Sequence, residues 1–163
     1  MSSFNRRLFC IAAVGTLAGC GFAPVYGPSG GGARLRNAVK VDTPKTREDF
    51  LLTRTLEERL GRPASERYGL SYSIALGEEA IAISANDVTS RYNLLGEITY
   101  ALRDMDSGQV VTSGKVSNFT GYSASGSSVA TQAAERDARA RLMTILADEI
   151  ATRLLAASSS LPE

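Results

Sequence analysis

The chain of 163 residues contains no histidine. That absence excludes the Ser-His-Asp and Cys-His nucleophilic arrangements and the usual imidazole ligand sets for zinc and copper. No Asp-x-Asp-x-Asp-Gly calcium loop occurs. No G-x-x-x-x-G-K-[ST] phosphate loop occurs either; the Gly30-Gly31-Gly32 run lacks the lysine that such a loop needs. Charge of either sign is not in excess, with 18 Lys and Arg against 17 Asp and Glu. A near-neutral balance gives no basis for bulk binding to nucleic acid or to an acidic bilayer. Cysteine is nearly absent too, and the two that occur, Cys10 and Cys20, lie in the first twenty residues.

Those first twenty residues are the most specific part of the chain. Arg6-Arg7 precedes an apolar run from Leu8 to Leu17, and Leu17-Ala18-Gly19-Cys20 follows. A basic start, a short apolar core, small residues and then a cysteine form the pattern of a bacterial lipoprotein signal peptide. Ten apolar residues on a helix reach only about 15 Å, half of a bilayer core, so the run is too short for a stable span. Cleavage between Gly19 and Cys20 is expected, with the Cys20 sulfur carrying a diacylglycerol. Gly21 after the cysteine, rather than Asp, implies transfer to the outer membrane, with the lipid in the periplasmic leaflet. An ordinary secretory signal with a coincidental cysteine is the alternative, and Asn5-Arg6-Arg7-Leu8-Phe9 is a partial twin-arginine match. Removal of residues 1–19 takes Cys10 away. The mature chain, residues 20–163, then has no free thiol and no disulfide, and it must stand on an apolar core. Its length suits one domain.

Residues 21–37 are rich in Gly, Pro and Ser and read as a lipidated, flexible tether, with Phe22, Val25 and Tyr26 as its apolar exceptions. Ala38-Val39-Lys40-Val41-Asp42 alternates as a short strand. Thr46 is a candidate N-cap with Asp49 three residues on, and Leu52, Leu56 and Leu60 place one apolar stripe on a helix over 47–60, stopped by Gly61 and Pro63. Leu70, Tyr72, Ile74 and Leu76 alternate with small residues; Ile81 and Ile83 start a further strand or continue the same one. Leu94, Ile98, Tyr100 and Leu102 share a face of a strand over 91–103. Asp106-Ser107-Gly108 is a turn, and 109–119 returns antiparallel with a thin apolar pattern that suits an edge. A Ser/Gly loop over 122–128 leads to a helix over 129–157, with Ala138, Leu142, Ile145, Leu146, Ile150 and Leu154 as its stripe. Glu135–Arg139, Asp137–Arg141 and Glu149–Arg153 are pairs four apart with the acid first. Residues 158–163 are expected to fray.

Strand, helix, three or four strands and helix predict an α+β two-layer sandwich. Its mixed or antiparallel sheet has four to five strands, with two helices on one face. The other face carries small and polar residues.

The run Leu-Ala-Gly-Cys-Gly-Phe-Ala-Pro-Val-Tyr-Gly (17–27), the segment Ser90-Arg91-Tyr92-Asn93-Leu94, the strand pair about Asp106-Ser107-Gly108 and the long C-terminal helix together resemble the LPS-assembly lipoprotein LptE family, in its alphaproteobacterial form. The LptE-like domain would span 38–157. The resemblance implies a non-enzymatic lipoprotein that sits inside the β-barrel of a partner, LptD, in the outer membrane. There it plugs the barrel, assists its assembly and binds lipopolysaccharide. No cofactor and no metal are implied. A free-standing lipid-binding or envelope adaptor without a barrel partner is the alternative.

Lipopolysaccharide phosphates need Lys or Arg, and arginine can grip a phosphate with two parallel hydrogen bonds. The candidates are Arg91 and Lys115 on strands, and Arg34, Arg36, Lys40 and Lys45 near the tether and first strand; each is otherwise an ordinary solvated charge. Tyr26 and Tyr122 are candidate contacts for the protein partner, since tyrosine offers large area with a polar tip. Glu78-Glu79 is the nearest thing to a paired-carboxylate site, but adjacent strand residues point to opposite faces.

Overall fold

The computed structural model describes residues 32–83 and 89–161. A one-turn helix α1 (Gly32–Leu35) leads into strand β1 (Val39–Val41) and helix α2 (Arg47–Leu60). Three long strands follow, β2 (Tyr68–Ile83), β3 (Thr89–Asp104) and β4 (Val110–Ser123), then helix α3 (Ser128–Ala157) and a 3-10 turn at Ser158–Ser160. The sheet order is β1-β2-β3-β4, with β1 parallel to β2 and the other pairs antiparallel. The architecture is the α+β sandwich that the sequence pattern predicts, with a mixed sheet of four strands.

Local chemistry fixes the helix ends. Thr46 Oγ1 accepts from Asp49 N, and Asp49 Oδ2 accepts from Thr46 N and Lys45 N, closing a capping box. Burial raises the Asp49 pKa, but the backbone N–H groups of Lys45 and Thr46 and the Thr46 hydroxyl outweigh it and hold the carboxyl below its ordinary value. Gly61 ends α2 at φ 83°, and a Cβ there would strike the Asn37 side chain. Ser127 caps α3 through Ala130 N.

One face of the sheet is packed. Tyr68, Leu70, Leu94, Ile98, Tyr100, Leu102 and Val116 meet Leu52, Leu56 and Leu60 of α2 and Leu142, Met143, Leu146, Ile150 and Leu154 of α3. Each such side chain stabilises the fold by roughly 1.5–3 kcal/mol on burial, against only tenths for each exposed ion pair four apart. All three expected pairs on α3 form, Arg139–Glu135, Arg141–Asp137 and Arg153–Glu149. Arg59 of α2 grips Asp148 of α3 with two bonds of 2.6 and 3.0 Å, so the helices are also joined by a forked contact.

The structure decides one alternative that the sequence left open and differs from two expectations at their edges. The two strand signals at 70–76 and 81–83 are one strand, because β3 pairs along its whole length as far as Ile83↔Thr89, with register shifts near Ala82. Residues 32–37, placed in the tether, join the domain: α1 forms and Leu35 is fully buried. Residues 158–161, expected to fray, fold back, with Leu161 buried and its carbonyl accepting from Arg34 Nη1 at 3.2 Å. In the last two cases an apolar side chain finds the core, which composition alone does not reveal.

Candidate functional site

Alternation along the strands decides which residues face away from the helices. Register pairs Ser71 with Ala101, Ser73 with Thr99, Ala75 with Glu97 and Gly77 with Leu95 on the open face. On the other side of β3, Thr99 pairs with Lys115, Glu97 with Ser117, Leu95 with Phe119 and Asn93 with Gly121. The open face is therefore mostly small and polar, as the thin pattern of β4 and the Gly-Ser-Ser-Ala-Gly side of β2 imply.

One apolar island interrupts it. Phe119 is 60% exposed and sits opposite Leu95, which is 36% exposed. With Ala75, Gly77, Glu97 and Ser117 they line a groove of about 460 Å³. Beside it Lys115 Nζ meets Glu97 Oε2 at 2.7 Å, so the lysine singled out from the sequence is already ion-paired across the strands. Arg91 is exposed near the β2–β3 hairpin, in register with Ser123. Lys40 lies on the opposite edge strand, in register with Gly69 and hence Arg103, and pairs with Glu66 at 2.8 Å. Arg91 and Arg103 stand twelve positions apart along β3, roughly 40 Å at about 3.3 Å per residue. Arg34 and Arg36 flank Leu35 at the start of the domain, and Lys45 precedes the α2 cap. The six candidate cations are thus spread over both sheet edges and both ends and form no single cradle. Arg103 was missed: it is exposed on the same open face, and only its odd position in β3 signals that.

Tyr122 occupies a different place from the one expected. It lies on the helix side, 8% exposed, with its ring stacked on Tyr92 at 5.4 Å and 16°. One ring face is therefore taken by Tyr92, and little of the side chain is left exposed for a partner. Burial, and then a hydrogen bond with the Glu78 carboxylate, push its hydroxyl up to about 12. Glu78 also feels Arg139, which bonds Glu135 at 2.8 Å and lies 3.6 Å from Glu48. Burial acts to lower the Arg139 pKa, but these carboxylates, Glu135 foremost, raise it overall. This Tyr-Glu-Arg cluster lies where the loop-side half of the β2–β3 hairpin approaches α2 and α3. Glu79 points to the other face, so Glu78 and Glu79 do not converge for acid–base work.

Among the described residues no group of three Cys, Asp or Glu could hold a metal ion, and no helix is long and apolar enough to cross a membrane. Gly19, Cys20 and Tyr26 lie outside the described residues.

The sequence profile of the LptE family, described as lipopolysaccharide-assembly, matches residues 36–154. Among curated proteins nothing matches the chain significantly. Solved structures share the fold. A lipoprotein from Caulobacter crescentus CB15 is 20% identical, with a TM-score of 0.67 over 82% of this chain and 98% of that one. Rare lipoprotein B from Shewanella oneidensis gives 12% and 0.57 over 76% and 96%. A minor lipoprotein from Acinetobacter baumannii gives 14% and 0.54 over 77% and 92%.

Proposed function

Since the chain belongs to the LptE family of lipopolysaccharide-assembly proteins, we propose that it is an outer-membrane lipoprotein, anchored through Cys20, that occupies the lumen of an LptD β-barrel, assists its assembly and binds lipopolysaccharide. The observation that carries this reading is the family match over 36–154, which spans nearly the whole folded domain. The two-faced sheet supports it. A face of Ser, Gly, Thr and paired charges suits the polar interior of a transmembrane barrel, while the helices supply the core that keeps the plug folded by itself. The role is structural and binding, not catalytic. Arg91 is the first choice for a lipopolysaccharide phosphate, because it is exposed and no ion pair to it forms among the described residues. Lys115, Lys40, Arg34, Arg36 and Lys45 are secondary, the first two being already paired.

The test is gentle detergent extraction of the native protein followed by mass spectrometry. The expected result is a triacylated Cys20, a barrel protein in one-to-one ratio, and lipopolysaccharide that is depleted by Arg91→Glu. Recovery as an acylated protein without a barrel would replace this reading with that of a free-standing envelope adaptor.

A further inference from the structure

The two outer edges of the sheet are treated differently. Along β4, Arg153 Nη1 donates to Lys115 O at 2.8 Å and Arg141 Nη2 donates to Gly121 O at 3.3 Å. Arginines from α3 thus cover edge carbonyls that would otherwise template another strand. The β2 edge has no such cover among the described residues. β1 pairs only with Tyr68, Gly69 and Leu70, and the chain then leaves for α2 through Thr43-Pro44. Among the described residues, the lane that β1 begins is vacant beyond Asp42.

Backbone direction shows what the vacant lane offers. Tyr68 N donates to Ala38 O, and Leu70 O accepts from Asp42 N, so these two residues turn their polar groups toward the lane. Strand alternation turns Tyr72, Ile74, Leu76 and Glu78 the same way. None of the four has a backbone partner on that side among the described residues. No Lys, Arg or Pro lies between 72 and 79 to block approach.

The border of the lane is acidic. Asp42 ends the filled part, Asp49 stands close enough to Tyr72 to act on its hydroxyl together with Asp42, and Glu78 and Glu79 are exposed at the far end. The cations set against them are Lys45, beside Asp49, and Arg139, which is shared with Glu48 and Glu135. Asp42 and Glu79 make no ion pair among the described residues.

We infer that the outer edge of β2 over 72–79 is a strand-addition site whose occupant is an extended segment of a partner polypeptide carrying Lys or Arg. Backbone pairing supplies the register, and the acidic border selects a basic strand. A second copy of this chain would bring the same carboxylates against themselves, which disfavours it. The chain's own segment 20–31 contains Pro24 and Pro28 and no Lys or Arg, so it makes a poor ladder and a poor charge match. This inference does not rest on lipopolysaccharide binding, and its test involves none.

The experiment uses the full chain in detergent and three synthetic nine-residue peptides. One alternates Lys with Val and Thr, one has Glu in place of Lys, and one is the Lys peptide N-methylated at every residue, which leaves neither edge able to donate. Amide exchange is read residue by residue. At a peptide concentration about ten times its Kd, exchange of the Tyr72, Ile74, Leu76 and Glu78 amides should slow about tenfold. The Glu and N-methylated peptides should leave it unchanged, and Glu79→Lys, an exposed substitution, should weaken binding of the Lys peptide. Equal effects of the Lys and Glu peptides, protection elsewhere than β2, or no protection would overturn the inference. Protection that grows with protein concentration alone would also overturn it, in favour of a second copy.

Discussion

Two glycines in one sheet should respond to the same substitution with opposite signs. Gly96 lies in β3 under α3, where an added Cβ would stand 2.9 Å from Leu142 Cδ2, 2.9 Å from Leu146 Cδ1 and 3.2 Å from Leu142 Cγ. Comfortable carbon contacts need about 3.5–4.0 Å. Both leucines are fully buried, so they cannot swing into solvent, and α3 must lift by about half an ångström or more. Such overpacking costs about 1–3 kcal/mol. Alanine recovers about 0.4–1 kcal/mol by restricting the unfolded chain, so Gly96→Ala should lose on the order of 1–2 kcal/mol. Gly77 lies in β2 on the open face, with nothing within 4 Å of its added Cβ and no left-handed φ. Gly77→Ala keeps only the favourable term and should gain about 0.4–1 kcal/mol. Urea unfolding of the full chain in detergent, followed by circular dichroism, measures both as shifts in midpoint at constant m-value. Adding Leu146→Ala to Gly96→Ala should cost less than the sum of the two single changes, since the new methyl enters space the leucine vacates. Equal signs for the two glycines, or strict additivity in that pair, would refute the placement of α3 over β3.

Two further predictions concern buried hydroxyls. The Tyr68 hydroxyl is fully buried with no hydrogen-bond partner among the described residues, a cost of about 1–3 kcal/mol when a donor is left unmade. Tyr68→Phe should therefore leave stability equal or raise it by about 1 kcal/mol in the same urea assay, and a clear loss would show that the hydroxyl has a partner. Tyr122 is neutral in the native state up to about 12, whereas in the unfolded chain it ionises near its ordinary value of 10.0. The unfolded state therefore loses the proton first as pH rises. Stability is fully present below about pH 10 and declines between 10 and 12, by on the order of 2–3 kcal/mol from this residue. Tyr72 and Tyr100 are raised as well, chiefly by burial, and act in the same direction. Tyr122→Phe should flatten the alkaline decline by its own share in urea titrations at pH 9 to 12, and an unchanged slope would contradict the burial of the Tyr122 hydroxyl beside Glu78.

Much of the fold is local in origin and was legible for that reason. The Thr46–Asp49 cap and the Gly61 stop bound α2 at Arg47–Leu60, where the leucine stripe placed it. The Asp106-Ser107-Gly108 turn forms as expected: Asp104 Oδ1 accepts from Asp106 N, Ser107 N and Ser107 Oγ, and Gly108 takes φ 72°. The site was less legible, because a candidate cation is only a residue type until the fold gives it neighbours. Lys115 and Lys40 found carboxylates 18 and 26 residues away in sequence, and Arg103 gained its exposure from strand parity.

The sequence by itself determined α2, α3 and the strands, most of the apolar stripe of each (Ile145, read into the α3 stripe, is 39% exposed), the small and polar character of one sheet side, and the cysteine at which a lipid is expected. These depend on periods of two and 3.6 and on caps and turns a few residues long. Only tertiary structure decided that Tyr122 stacks on Tyr92, that α1 and Leu161 close the core, and that α3 guards the β4 edge while, among the described residues, the lane beyond β1 stays open. Those outcomes depend on register and on contacts between residues far apart in the chain, which no local pattern encodes.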